Sequence, residues 1–255
     1  MIPKVIHYCW FGGNPLPDLA EKCLASWKKY CPDYQIMRWD ETNYDVTACQ
    51  YAREAYQMKK WAFVSDVARL YALVQFGGLY MDTDVEVIRP LDSLLSYEAV
   101  SGFESGRKIS TGLMACEKGH PLFQEFLRAY DGLKFINADG SCDATTNVER
   151  ITKICLRYGF RGNNRMQTFH GFTLLPKDYL CPKDARTRQI NVTENTLTIH
   201  HFDASWKEGD WQYTVDVMNR FGKIPLLYYP VRLISKIKYG GFRDAISFIK
   251  RKMKE

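Results

Sequence analysis

The stretch from Trp61 to Phe76 constrains this chain more than any other. Its residues are apolar nearly all the way round a helix, so a helix here has no broad face for water and belongs in a core. Gly77-Gly78 ends it, because glycine readily takes the left-handed conformation that closes a helix. Leu79 to Ile88 then reads as a strand, stopped by Pro90. A buried helix running straight into a strand is a unit of a layered α/β domain.

The flanking segments agree. Val5 to Trp10 reads as a first strand, ending in the turn cluster Phe11-Gly12-Gly13-Asn14-Pro15. Pro17 to Tyr30 reads as a helix, with Leu19, Cys23, Leu24, Trp27 and Tyr30 at helical spacing, and Tyr34 to Trp39 as a second strand. Doubly wound α/β domains begin in this way. A helix is expected at 48–58, strands at 99–103 and 109–115, and helices near 120–130, 145–158 and 212–221. Residues 165–202 read as short strands and turns. The length suits one α/β domain, placed at 1–225, with a basic amphipathic helical extension at 226–255.

Composition narrows the function classes. A hydrophobic fraction of 46% and a charged fraction of 25% are globular values and exclude a disordered or fibrous chain. No run approaches the roughly 18 apolar residues of a membrane-spanning helix, and no basic-then-apolar leader is visible, so a cytoplasmic protein is expected. The eight cysteines form no CxxC pair and no zinc spacing, and read as reduced thiols. Residues 231–255 hold eight Lys or Arg against two acids, a local excess equal to the whole chain's +6. That tail interleaves Val231, Leu233, Ile234, Ile237, Ala245, Ile246, Phe248 and Ile249 with the basic residues and breaks at Gly240-Gly241. It reads either as helices packed on the domain or as a peripheral contact with an anionic membrane at its inner face. The core has no basic surface interleaved with aromatics, so nucleic acid is not expected as a partner.

The chemistry centres on Asp82-Thr83-Asp84. In a strand, side chains two apart share a side, so the two carboxylates can share one hard cation, Mg²⁺ or Mn²⁺. Tyr80 and Glu86 fall on that face and Met81, Thr83, Val85 and Val87 on the other. With 17 Asp in the chain one such triplet is expected by chance, so its surroundings must carry the argument. Asp66 and Arg69, three apart on the buried helix beside Ser65, form a mixed donor and acceptor surface suited to sugar hydroxyls. His200-His201, at the end of the strand-like Thr196-Leu197-Thr198-Ile199, can complete a cation site with one ring while the other packs. Ser205 and Trp206 supply donors for a phosphate. His7, His120 and His170 read as structural. The absence of GxxxxGK[ST], GxGxxG and GxSxG removes the fingerprints of P-loop ATPases, dinucleotide oxidoreductases and α/β-hydrolases.

Three segments together resemble glycosyltransferase family 32, the sugar-binding DXD-motif enzymes. They are His7-Tyr8-Cys9-Trp10-Phe11-Gly12-Gly13, then Ser65 to Arg69 with Gly77 to Asp84, then Ile199-His200-His201-Phe202 to Ser205-Trp206. Clostridial glucosylating toxins share the set, and Tyr179-Leu180-Cys181-Pro182-Lys183 looks like the bacterial capsular and exopolysaccharide members. The resemblance implies a GT-A fold, a Rossmann-like mixed sheet flanked by helices, with the nucleotide at the carboxyl ends of parallel strands. It also implies Mn²⁺ or Mg²⁺, a nucleotide-sugar donor with UDP-hexose favoured, and retention of the anomeric configuration. By position, Trp10 would stack on the base and Ser65 would approach the ribose. Asp66 and Arg69 would hold the sugar, with Tyr80 in the donor-binding set. Asp84 would be the most direct metal ligand, Asp82 would meet ribose, sugar or metal, and His200 would be the third ligand with His201 as its substitute. Ser205 and Trp206 would face the β-phosphate. Where members often carry an Asn, this chain reads Ser110-Thr111-Gly112.

The expected activity is therefore transfer of a hexose to a saccharide or lipid-linked oligosaccharide acceptor in surface polysaccharide synthesis. A toxin-like protein glycosyltransferase and a non-catalytic nucleotide-sugar-binding protein are the alternatives.

Overall fold

The computed structural model of the protein describes residues 1–203, 210–221 and 224–252. By packing, the chain divides into two compact units: Met1–Pro182 with Val192–His200, and Lys183–Asn191 with His201–Glu255.

The first unit is built on a mixed sheet of eight strands. β1 (Val5–Cys9) lies between β2 (Gln35–Trp39) and β3 (Gly78–Met81), parallel to both. β7 (Leu113–Cys116) runs antiparallel to β3 and to β5 (Ala99–Ser105), and β9 (Phe172–Leu175) lies parallel to β5 with β8 (Gln167–Phe169) at the edge. The short β6 (Lys108–Ile109) pairs with β5 off this path. The helices of this unit are α1 (Asp18–Tyr30), α2 (Gln50–Gln57), α3 (Trp61–Phe76), α4 (Pro121–Arg128), α5 (Asn147–Leu156) and α6 (Lys177–Leu180). This Rossmann-like mixed sheet flanked by helices is the architecture expected of a GT-A fold.

Both faces of the sheet are buried, and the period-two alternation of the strands divides the core in two. Leu79 and Met81 of β3 and Leu113 and Ala115 of β7 pack with Ile6, Tyr8 and Trp27. The intervening Tyr80, Met114 and Cys116 pack instead with the apolar side of α3. The Trp61–Phe76 helix spans the expected residues, and only its margin, including Tyr71 and Phe76, reaches solvent. Gly77 closes it with φ 67, its N–H donating to the Leu73 carbonyl, and Gly78 at φ 97 starts β3. A Cβ on Gly78 would stand 2.6 Å from the Val5 carbonyl, so only glycine lets β3 lie this close to β1.

The expected single strand 79–88 is interrupted. β3 stops at Met81, residues 82–84 turn, and β4 (Val85–Val87) leaves the main sheet to pair antiparallel with β10 (Thr198–His200). The Val85 N–H donates to the Asp82 carbonyl at 3.0 Å and closes the turn, while the Asp82 N–H donates to the Gly112 carbonyl at 2.8 Å. The two carboxylates are thus brought together by a turn and not by strand alternation. Glu86, expected on the acidic front, lies instead beside Lys22 at 3.2 Å.

The second unit contains α7 (Asp210–Phe221) and α8 (Tyr228–Lys252). The break expected at Gly240-Gly241 is a kink inside α8, where Gly241 has φ 75. Thr214 of α7 bonds to Ser235 and Arg232 of α8 at 3.1 and 3.2 Å, joining the two helices.

Candidate active site

Ligands of open α/β sheets gather outside the carboxyl ends of the parallel strands. Here the register pairs His7 of β1 with Tyr80 of β3. Trp10 therefore leaves β1 at the same edge where Asp82-Thr83-Asp84 leaves β3. Trp10 is half-buried and donates its indole N–H to the Asn14 carbonyl at 2.6 Å. Part of its ring remains available beside the turn.

The third group comes from far along the chain. Antiparallel pairing sets His200 opposite Val85, the residue after Asp84. The pairing is held from both sides. Trp27 and Ser26 of α1 bond to the backbone of Val85 and Val87, at 2.7 and 2.9 Å. The Arg89 guanidinium donates to the carbonyls of Thr193 and Thr196, at 3.1 and 2.9 Å, and fastens the segment leading into β10.

Asp82, Asp84 and His200 consequently converge, each offering one ligand atom, with these atoms within 4.8 Å of one another. Nε2 of His200 stands 3.3 Å from Asp84 Oδ1 and 4.0 Å from Asp82 Oδ2. Neighbouring ligands of a six-coordinate ion with bonds of about 2.1 Å are roughly 3 Å apart, so this spacing is close to what one cation requires. Two carboxylates and an imidazole form an oxygen-weighted set suited to Mg²⁺ or Mn²⁺. The residues fit such an ion. Among the described residues, this cluster contains His200 and not His201.

Behind the carboxylates lies a buried cation. Arg69, on α3, places Nη2 3.0 Å from Asp66 Oδ1 and Nη1 3.2 Å from Asp82 Oδ1. It also donates to the carbonyls of Ser65 and Thr111, at 3.2 and 2.9 Å, and its guanidinium lies over the Tyr80 ring at 4.5 Å. The Tyr80 hydroxyl donates to Asp82 Oδ1 at 2.9 Å. Arg69 is thus a planar fork between two acids, a task for which the point charge of a lysine is unsuited. Ser65 is half-buried one turn before it, with its hydroxyl donating to the Trp61 carbonyl at 3.0 Å.

Burial pushes the Asp66 carboxyl up to about 6, with Arg69 opposing the rise. Asp82 is likewise raised by burial against the pull of Arg69 and His200. Burial would lower His200, but the adjacent Asp84 carboxylate and Cys181 outweigh it and hold the imidazole well above its usual range.

Three further residues shape the site, and none was singled out as a site residue by sequence. Asn147 donates its backbone N–H to Asp66 Oδ2 and its side-chain amide to the Asp66 carbonyl, both at 3.2 Å. It does so as the first residue of α5, whose Thr146 cap accepts from the Glu149 N–H. That capping pattern, a Thr three residues before a Glu, was the available signal. Gly112 faces the His200 ring. Cys181, just after α6, is buried beside the same ring and helps to keep it charged.

His7 is structural, as expected. Its buried ring receives the Trp39 indole N–H at Nδ1, 3.1 Å away, and donates from Nε2 to the Gly77 carbonyl at 2.8 Å. Ser205 and Trp206 lie outside the described residues.

Residues 17–101 match the family described as the glycosyltransferase sugar-binding region containing a DXD motif. The matched stretch takes in Ser65, Asp66, Arg69 and the Asp82-Thr83-Asp84 turn, and stops well short of His200. Inositol phosphoceramide mannosyltransferase 3 of Schizosaccharomyces pombe is 33% identical over 135 residues, which are 50% of this chain and 36% of that protein. Mannosyl phosphorylinositol ceramide synthase SUR1 of Saccharomyces cerevisiae is 29% identical over 147 residues, 53% of this chain and 37% of that one. The chain thus spans little more than a third of the length of these relatives. A solved glycosyltransferase involved in the glycosylation of the major capsid of PBCV-1 superposes with a TM-score of 0.46 at 12% identity, over 87% of this chain and 100% of that one.

Proposed function

We propose that the protein is a divalent-cation-dependent glycosyltransferase that moves a hexose from a nucleotide-sugar donor to a saccharide or lipid-linked acceptor. The observation that carries the reading is the convergence of Asp82, Asp84 and His200 at the carboxyl edge of β3, within 4.8 Å of one another. The DXD sugar-binding match over 17–101 supports it, because the turn that brings the two acids together lies inside that region.

A cation held by these three groups supplies positive charge for the donor's diphosphate. The chain's own residues do the rest. Trp10 offers a ring face for the base at the same strand edge. Arg69 fixes the carboxylates of Asp66 and Asp82, so both are oriented before a donor arrives and need little reorganisation during transfer. Asp66, raised toward 6, presents an acceptor for a sugar hydroxyl in a site from which water is largely excluded. No general base is assigned. In a retaining transfer the leaving phosphate can take the acceptor's proton on the same face, and we take retention as the stereochemical course.

UDP-hexose is the first donor reading. A mannosyl donor is the second, because one relative above is named an inositol phosphoceramide mannosyltransferase and the other a mannosyl phosphorylinositol ceramide synthase. Those names also support a lipid-side acceptor over a protein one. A position at the cytoplasmic face of a membrane is our own further reading. Synthesis of a surface polysaccharide is the setting we favour. Donor hydrolysis followed across UDP- and GDP-hexoses, with Mn²⁺, Mg²⁺ or chelator, tests the reading. Turnover in Mn²⁺ lost with Asp84→Asn is the expected result, and full turnover in that variant would sink it. A chain that binds donor tightly yet turns none over would instead be the non-catalytic sugar-nucleotide binder.

A further inference from the structure

We infer that α8 lies flat on an anionic lipid surface, with two outward apolar stripes set into the bilayer interface. This deepens the membrane-side placement proposed above and is independent of the transfer chemistry.

The argument starts from the direction in which α8 is apolar. A terminal helix packed on a domain turns its apolar side inward and its charges outward. In α8 the inward side is already filled. Val231, Arg232, Ser235 and Ala245 are buried, and Arg232 and Ser235 meet Thr214 of α7. A second apolar side points away from it. Ile234 and Ile237, three apart, are 52% and 38% exposed. Beyond the Gly241 kink, Phe242, Ile246 and Ile249 recur by four and three and are 74%, 51% and 43% exposed. Residues at that spacing form one continuous stripe on a helix. A soluble surface does not leave two such stripes to water without a partner for them.

Charge selects the partner. Residues 231–255 carry eight Lys or Arg against two acids. At helical spacing Lys238 borders the Ile234–Ile237 stripe, its ammonium 4.8 Å over the Tyr213 ring of α7, and Lys250 follows Ile249. An apolar stripe bordered by basic residues is the pattern of a helix lying in the headgroup layer of an anionic leaflet. A second copy of the chain would bring two strongly basic segments together, which charge repulsion opposes. Among the described residues no helix is long and apolar enough to cross a membrane, so α8 lies on the surface and does not span it.

The test uses the full chain and flotation with phosphatidylcholine vesicles, with and without phosphatidylglycerol. The native chain should float with the mixed vesicles and not with phosphatidylcholine alone. The variant Ile234→Ser/Ile237→Ser/Phe242→Ser/Ile246→Ser should lose partitioning by about tenfold or more while keeping its circular dichroism and melting curve, since all four side chains face outward. Lys238→Gln/Lys250→Gln should lower partitioning as well and flatten its salt dependence. Three results would overturn the inference: no flotation of the native chain, unchanged flotation of the serine variant, or a concentration-dependent dimer that the serine substitutions dissolve. Donor turnover in solution, measured on the same variants, reads the transfer site separately.

Discussion

A Cβ placed on Gly112 would stand 2.7 Å from Nδ1 of His200. The absence of a side chain at that position is what allows the imidazole to turn its other nitrogen toward Asp84. Gly112→Ala should therefore weaken Mn²⁺ binding by about 10–100-fold, the range for losing a group that orients a ligand. Combined with His200→Ala it should add little further loss, because both changes remove the same ring. Isothermal titration of the single and double variants measures the coupling. Fully additive losses would mean that Gly112 acts elsewhere.

Removing a ligand directly should do more. Asp84→Asn and His200→Ala are each expected to exceed the 10–100-fold penalty of an orienting partner. They should also abolish the gain in melting temperature expected of the native protein with Mn²⁺ and a nucleotide sugar, since a ligand stabilises only the state that binds it. A thermal-shift series with and without chelator reads this.

Arg69→Met should be the most destabilising single change in the site. It leaves Asp66 and Asp82 facing buried space without their shared cation, a loss of about 3–5 kcal/mol. Arg69→Lys should recover only part, because an ammonium cannot reach both carboxylates and the Thr111 carbonyl in one plane. Chemical denaturation checks both.

Asp66 gives a pH signature. Burial moves its carboxyl from 3.8 in the unfolded chain to about 6 in the fold, so the native state holds this proton more tightly. The resulting stability is complete below about pH 4 and is lost as pH rises through about 6. Asp66→Asn never ionises, so its stability relative to the native protein should improve by about 3 kcal/mol from acid to neutral pH. A difference that stays flat with pH would mean an ordinary carboxyl at this position.

Trp10→Ala should weaken nucleotide binding by about 1–3 kcal/mol through lost stacking, with Trp10→Phe keeping much of it. Quenching of tryptophan fluorescence by UDP and GDP measures the effect and also ranks the two bases.

Much of the layering was legible in the chain. The all-round apolar helix, its glycine stop and the strands on either side are local properties, and local periodicity reports them. The interruption of the strand at Asp82 was not legible. Alternating Tyr80, Asp82, Asp84 and Glu86 satisfies a strand pattern equally well, and what breaks the strand is the pairing of β4 with β10, over a hundred residues later. Asn147, Gly112 and Cys181 were missed for the same reason. Each acts on a residue distant in sequence; the Thr146 cap marks where α5 begins beside Asn147, but no local pattern marks which distant side chain is met. His200 was found because two adjacent histidines at a strand end are uncommon, which is a local signal for a long-range role.

The β4–β10 pairing carries a consequence for how the protein is made. Bringing residue 200 against residue 85 closes one of the longest loops in the fold, and contacts of that separation form late in folding. A chain emerging from the ribosome would complete most of its main sheet with the two aspartates in place and the imidazole still missing. On the proposed reading, competence to hold an ion therefore waits until β10 has paired with β4.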